Sequence, residues 1–252
     1  MSAKLAGKVA IVTGGAQGFG WGIVRKFVDE GAKVVIIDAN EKTGQEAADK
    51  LEGCAFVRGD VSERAVWEKA LETASTQFGK LDIVVNNAGI LIVKKATEYT
   101  EEDYERIFRI NVKSLFQSSQ VVIPYFQKQG GGAFINMSSA GEIRPRADGV
   151  WYCATKAAVT NATKALAVEW ASHNIRFNSV APTIAETGMY QVILNAADLK
   201  DGEETRKKFG EVIPLNRFCR PGDVGSAVCF LASDEASFIT GVQLPVDGGR
   251  SI

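Results

Sequence analysis

A tyrosine and a lysine stand four residues apart in the stretch WYCATK, residues 151–156. At that spacing on a helix, the Tyr152 phenol and the Lys156 ammonium share one face. Taken alone, the pair is ordinary helix surface, because such spacings recur by chance. The rest of the chain gives it weight. There is a single histidine, His173, in the polar stretch ASHNIR, where a helix end or loop is expected. Sites with several histidine ligands are excluded, and acid–base chemistry must use another group. Upstream, Ser138 and Ser139 close an apolar run, and Tyr152 follows Ser139 by thirteen residues.

The elements that would position these residues can be read from the pattern. Apolar runs of strand length cover 8–13, 33–38, 54–60, 81–89, 132–139, 175–182 and 242–249. Between them lie helical patterns at 19–31, 41–51, from the expected cap Ser62 to about 78, 100–127, 152–171 and from Pro221 onward. Continuous apolar strands alternating with amphipathic helices predict an α/β fold: a doubly wound, Rossmann-type parallel sheet of about seven strands with helices on both faces. Such sheets bind ligands beyond the carboxyl ends of their strands.

The residues at those ends are polar or small. After the first run comes TGGAQGFG, where Gly14, Gly18 and Gly20 let the backbone turn tightly beside a diphosphate, and the following helix offers its N-terminus to that anion. Asp38 ends the second run, eighteen residues beyond Gly20. A carboxylate there can accept from the adenosine ribose hydroxyls and repels a 2′-phosphate. No Arg or Lys follows it, and Gln17 is not basic, so NAD is favoured over NADP. Asp60 and Val61 follow the third run, where Asp60 can meet the adenine amino group, and NNAG the fourth.

These motifs resemble the short-chain dehydrogenase/reductase family in its compact single-domain branch. TGGAQGFG, Asp38, Asp60, NNAG, Asn111, Ser139, YCATK and VDGG span nearly the whole chain in the family's order. The resemblance implies hydride transfer between NAD and a secondary alcohol or ketone. It implies Tyr152 as general acid–base, with Lys156 lowering its pKa and holding the nicotinamide ribose. Ser139 would bind the substrate oxygen, and Asn111 a water linking Lys156 to solvent. The implied cofactor residues are Gly14, Gln17, Gly18, Phe19, Gly20, Asp38, Asp60, Val61, Asn87, Ala88, Gly89, Tyr152, Lys156, Pro182, Ile184 and Thr187. One departure is Thr183 where the family has glycine; a β-branched residue disfavours positive φ.

Substrate groups are expected from AGEIRPRADGVW, with Glu142, Arg144, Arg146 and Trp151 as candidates, and from a variable segment at about 183–215 that suits one or two short lid helices. An arginine there can hold a carboxylate or phosphate, or simply be solvated. An NADPH-dependent 3-ketoacyl-type reductase and a non-catalytic NAD-binding protein remain as alternatives.

Bulk properties set the frame. Residues 1–252 fit one domain. A net charge of −1 without a basic stripe argues against nucleic acid. No apolar run suits a signal peptide or a membrane span, so a cytoplasmic protein without a membrane partner is expected. Cys54, Cys153, Cys219 and Cys229 lack CxxC or metal-ligand spacing, so no metal is expected. The resemblance suggests a homotetramer.

Overall fold

The computed structural model describes residues 3–252. Seven strands form one parallel sheet: β1 (Val9–Thr13), β2 (Lys33–Asp38), β3 (Cys54–Arg58), β4 (Ile83–Asn86), β5 (Gly132–Met137), β6 (Ile175–Pro182) and β7 (Gln243–Val246). Their order is β3-β2-β1-β4-β5-β6-β7. The order reverses between β1 and β4, which is where a doubly wound sheet opens a crevice at its carboxyl edge.

Alternation along the strands builds two cores. Ala10, Val12, Val34 and Ile36 point to one face, under Ile23, Val24 and Phe27 of α1 (Gly18–Asp29) and Val224, Val228 and Leu231 of α10 (Pro221–Ala232). Val9, Ile11, Val35 and Ile37 point to the other. There they meet Trp67 and Ala70 of α3 (Arg64–Phe78), and Val122 and Phe126 of α5 (Ser114–Gln129). Each of the valine, isoleucine, leucine and phenylalanine side chains contributes about 1.5–3 kcal/mol by leaving water. The doubly wound architecture read from the periodicity is therefore the one present.

The structure departs from the sequence reading in particular places. The helix expected over 100–127 is broken: α4 (Glu101–Phe108) passes through a π-turn at Arg109–Lys113 before α5 begins. Ser62 does not cap α3. The helix starts after Glu63 with no side-chain cap, and the Ser62 hydroxyl instead accepts from Arg109 Nη1 at 3.1 Å. Thr183 adopts no positive φ, so its β-branch meets no backbone conflict. α2 (Glu41–Asp49) and the helix carrying the Tyr–Lys pair, α7 (Val150–Trp170), lie close to their expected bounds. His173 ends the short 3-10 turn after α7 and is exposed.

One polar contact ties β6 to α10. Arg176 of β6 is partly buried, and its guanidinium donates to the carbonyls of Leu231 at 2.7 Å and Ser233 at 3.3 Å, at the C-terminus of α10. The cation meets the negative end of the helix dipole and satisfies carbonyls that the helix cannot. Arg176→Met should destabilise the protein by about 2 kcal/mol, since those acceptors would be left unpaired. Equilibrium denaturation of the two proteins measures this.

Candidate active site

The loops at the carboxyl ends of β1 and β4 are stitched together. Thr13 Oγ1 accepts from the amides of Asn87 and Ala88, each at 2.9 Å. Asn87 Nδ2 donates to Thr13 O at 2.8 Å and to Gly14 O at 3.2 Å. Gly20 lies so close beneath this contact that a Cβ on it would fall 2.0 Å from Gly14 O. Gly14 and Gly18 have φ of +61° and +56°, the left-handed region open to glycine. The loop thus presents bare backbone at the N-terminus of α1. Asp38, at the end of β2, braces it by accepting from the Ala16 amide at 3.2 Å.

A cavity of about 1080 Å³ runs along this edge, just above the usual range for ligand sites. Gly14, Gln17, Gly18, Phe19, Gly20, Asp38, Asp60, Val61, Asn87, Ala88 and Gly89 line one side. Ser139, Tyr152, Lys156, Pro182, Ile184 and Thr187 line the other, with Arg144 and Arg146. Its roof is formed by α8 (Gly188–Ala196) and α9 (Glu203–Glu211), the two short helices of the segment expected as a lid.

Three of the expected residues do not line the cavity. Asn111 is buried behind it, in the π-turn. Its Oδ1 accepts from Ile90 N at 2.8 Å, and its Nδ2 donates to Ile90 O at 3.0 Å and Thr155 Oγ1 at 3.1 Å. A Cβ on Gly89 would stand 3.1 Å from Asn111 Oδ1 and 3.4 Å from Lys156 Nζ, so both groups converge on that glycine. Glu142, of the four-residue helix α6 (Ala140–Ile143), turns away and accepts from Gln243 Nε2 at 2.5 Å. Trp151 packs edge-on against Tyr104 of α4, ring centres 5.1 Å apart. For Glu142 and Trp151, a partner on a neighbouring element fixes the side chain away from the cavity.

The Tyr–Lys pair is in place on α7. Lys156 is buried, and its Nζ donates to Met137 O at 2.8 Å. Nζ lies 5.8 Å from the centre of the Tyr152 ring. Burial pushes the ammonium down to about 8. Burial also raises the Tyr152 phenol, and the hydrogen bond from Ser139 and the charge of Arg146 oppose that rise without cancelling it. Ser139 Oγ accepts from the Gly141 amide at 3.1 Å, which fixes the hydroxyl. For Asp60, burial acts upward, but bonds from the Ser62 amide and the Arg109 guanidinium outweigh it and hold the carboxyl below its usual range.

This geometry has counterparts. A family model described as enoyl-(acyl carrier protein) reductase matches residues 14–251. The 4-formylbenzenesulfonate dehydrogenase TsaC1/TsaC2 of Comamonas testosteroni is 44% identical, over 97% of this chain and 98% of its own. A cyclopentanol dehydrogenase from a Comamonas species is 40% identical, over 96% of each. The chain belongs to the short-chain dehydrogenase/reductase family. Among solved structures, a 3-ketoacyl-(acyl-carrier-protein) reductase from Brucella melitensis, complexed with NADH, superposes with a TM-score of 0.91. It shares 39% identity, covering 98% of this chain and 100% of its own.

Several residues at this short-chain dehydrogenase site were not singled out from the sequence. Thr13 carries no charge and reads as the last strand residue. Thr155 lies inside the Tyr–Lys motif; its hydroxyl donates to Tyr152 O at 2.7 Å and so links Asn111 to the helix. Arg250 and Lys208 line the cavity from the C-terminal turn and from α9, and only the fold brings them there. No helix among the described residues is long and apolar enough to cross a membrane, and no acid, histidine or cysteine cluster among them suits a metal.

The buried ammonium makes stability depend on pH. Lys156 titrates near its ordinary value of 10.5 when unfolded and near 8 when folded. Between these values the unfolded chain binds more protons, so stability rises with pH; below about 8 the cost of the buried charge is present in full. Relative to Lys156→Met, the parent should gain about 3 kcal/mol from pH 7.5 to about 10.5. Denaturation of both proteins across that range tests it, and a flat difference would mean a solvated ammonium.

Proposed function

We propose that the protein is an NAD(H)-dependent oxidoreductase that interconverts a secondary alcohol and its ketone, with Tyr152 as the general acid–base. The observation that carries this reading is the convergence of Ser139, Tyr152 and Lys156 on one cavity with the glycine loop and Asp38. The cradle fits the cofactor. Bare backbone at Gly14, Gly18 and the N-terminus of α1 suits a diphosphate. Asp38 suits unphosphorylated ribose hydroxyls, which supports NAD over NADP. The relatives named above act, by name, on 4-formylbenzenesulfonate, on cyclopentanol or on a 3-ketoacyl carrier protein, and each of these names places an oxygen on the reacting carbon.

A bound nicotinamide supplies or accepts the hydride. The chain's own groups manage the oxygen and its proton. Ser139 donates to the substrate oxygen and holds it beside the phenol. In oxidation Tyr152 takes the hydroxyl proton; in reduction it returns one. A phenol with a pKa of about 10 is a poor base at neutral pH, and burial here makes it poorer. Positive charge must offset that, and Lys156 provides it. Asn111, Ile90 and Thr155 position the floor of the site, and the proton reaches solvent along that side. Exposed Phe116 on α5 and Val168 on α7 support a homotetramer built on these helices.

Cofactor absorbance followed with NAD and NADP in parallel, against a panel of secondary alcohols and ketones, is the first test. Tyr152→Phe should lower kcat by about a thousandfold, while NADH affinity, read by fluorescence, stays within about threefold of the parent. Turnover retained in that variant overturns the mechanism. Replacing Asp38 by Ala together with Ala39→Arg should raise kcat/KM with NADP at least about tenfold, since a repelling carboxylate gives way to a guanidinium. An unchanged ratio of the two cofactors would remove Asp38 from the specificity argument.

A further inference from the structure

Charge is spread unevenly over the cavity wall, which Arg106 of α4 and Lys156 of α7 also line. Its carboxylates are Asp38 and Asp60, next to β2 and β3 at one end of the crevice. At the other end, beyond Ser139 and Tyr152, stand Arg144, Arg146, Lys208 and Arg250 with no carboxylate on the wall. Glu204 pairs with Lys208 at 2.9 Å. Among the described residues, no acid lies within salt-bridge distance of Arg144, Arg146 or Arg250. The acids nearest in sequence or on the lid are otherwise engaged or make no pair. Arg206 takes Asp201 and Glu186, Glu142 sits on Gln243, and Asp148 forms no ion pair.

These cations are positioned. Arg144 Nη1 donates to Arg250 O at 3.2 Å. The turn bearing Arg250 is fixed by buried Asp247, which accepts from the amides of Gly249 at 3.0 Å and Ser251 at 2.8 Å. Arg146 folds over Gly149, where a Cβ would stand 3.4 Å from its Nε. Gly149 precedes α7, the helix that carries Tyr152, and the first turn of α7 has neither an acidic residue nor a side-chain cap. Apolar side chains from the lid segment also line the cavity, Met189, Val192, Ile193, Leu199, Phe209 and Val212, beside the hydroxyl-bearing Tyr190 and Thr205. Of these, Val192, Leu199 and Val212 are exposed, as suits a wall that an apolar ligand covers.

We propose that the substrate has an apolar body bearing a carboxylate or sulfonate, and that Arg146, flanked by Arg144 and Arg250, receives that oxyanion. A guanidinium offers two parallel donors to such a group, and the exposed Arg144 and Arg146 are open to it. The inference rests on reading Ser139 and Tyr152 as the end where the substrate oxygen reacts.

Binding separates the two claims. Benzoate and its neutral counterpart benzamide are titrated by calorimetry into the protein saturated with NADH. The parent should bind benzoate at least about tenfold more tightly than benzamide. Arg146→Gln should lose that preference while keeping benzamide affinity within about twofold, which also reports an intact fold. Arg146→Lys should keep part of it, because the charge remains without the fork. Equal or undetectable binding of both probes to the parent overturns the inference, as does a full preference in a protein carrying both Arg144→Gln and Arg146→Gln. If the preference is present but Tyr152→Phe still turns over alcohols, the mechanism falls and the anion site stands. If neutral alcohols turn over through Tyr152 and benzoate gains nothing over benzamide, the reverse holds.

Discussion

The structure depends on one joint, where the Thr13 hydroxyl and carbonyl receive the amides that follow β4. Two strands that are adjacent only because the sheet reverses its order there must end at the same height. Asn87 and Ala88 donate to Thr13 Oγ1, and the Asn87 side chain closes over Thr13 O and Gly14 O. These bonds hold the glycine loop at the angle that leaves its backbone bare, and they place Gly89 where Asn111 and Lys156 meet. The glycines are a consequence of that closeness. A side chain at Gly20 would occupy the space of the Gly14 carbonyl, so the loop and the joint require each other.

Opposed electrostatic demands meet at the next strand. A phenol and an ammonium buried together each resist their charged forms. Tyr152 is raised and Lys156 lowered by the same cause. Removing water from the site makes the proton harder to move, and it also makes every nearby charge count for more. The Met137 carbonyl, which accepts from Lys156 at 2.8 Å, orients the ammonium. The Ser139 hydroxyl, fixed by the Gly141 amide, hydrogen-bonds the Tyr152 phenol.

Much of this was legible in the sequence because it is periodic or local. Strand runs alternate with helices, and the residues after each run are the ones on the cavity edge. What escaped is set by contacts between distant segments. The helical pattern through 100–127 gives no sign of the π-turn, because that turn exists to let Asn111 bond to both backbone groups of Ile90, a loop 21 residues earlier in the chain. Such bulges favour functional sites, but their cause lies outside the helix. Glu142 and Trp151 sit in the right stretch for substrate contact, yet Gln243 and Tyr104 claim them. Ser62 has the residue type of a cap, and Arg109 takes its hydroxyl. In each case the local preference was real and a tertiary partner outweighed it.

The division of charge along the cavity follows from the same topology. Strands β2 and β3 lie on one side of the reversal, so Asp38 and Asp60, which follow them, stand at one end of the cavity. Strands β5, β6 and β7 lie on the other, and the loops that follow them bring Arg144, Arg146 and Arg250 together although they are more than a hundred residues apart at the extremes. The net charge of −1 conceals this separation completely. Cations held without acidic partners near the Tyr152 phenol favour its ionised form and any anion brought to them. Arg146 opposes the rise that burial imposes on the Tyr152 phenol, so an arginine in this loop has a consequence that its exposure alone does not suggest.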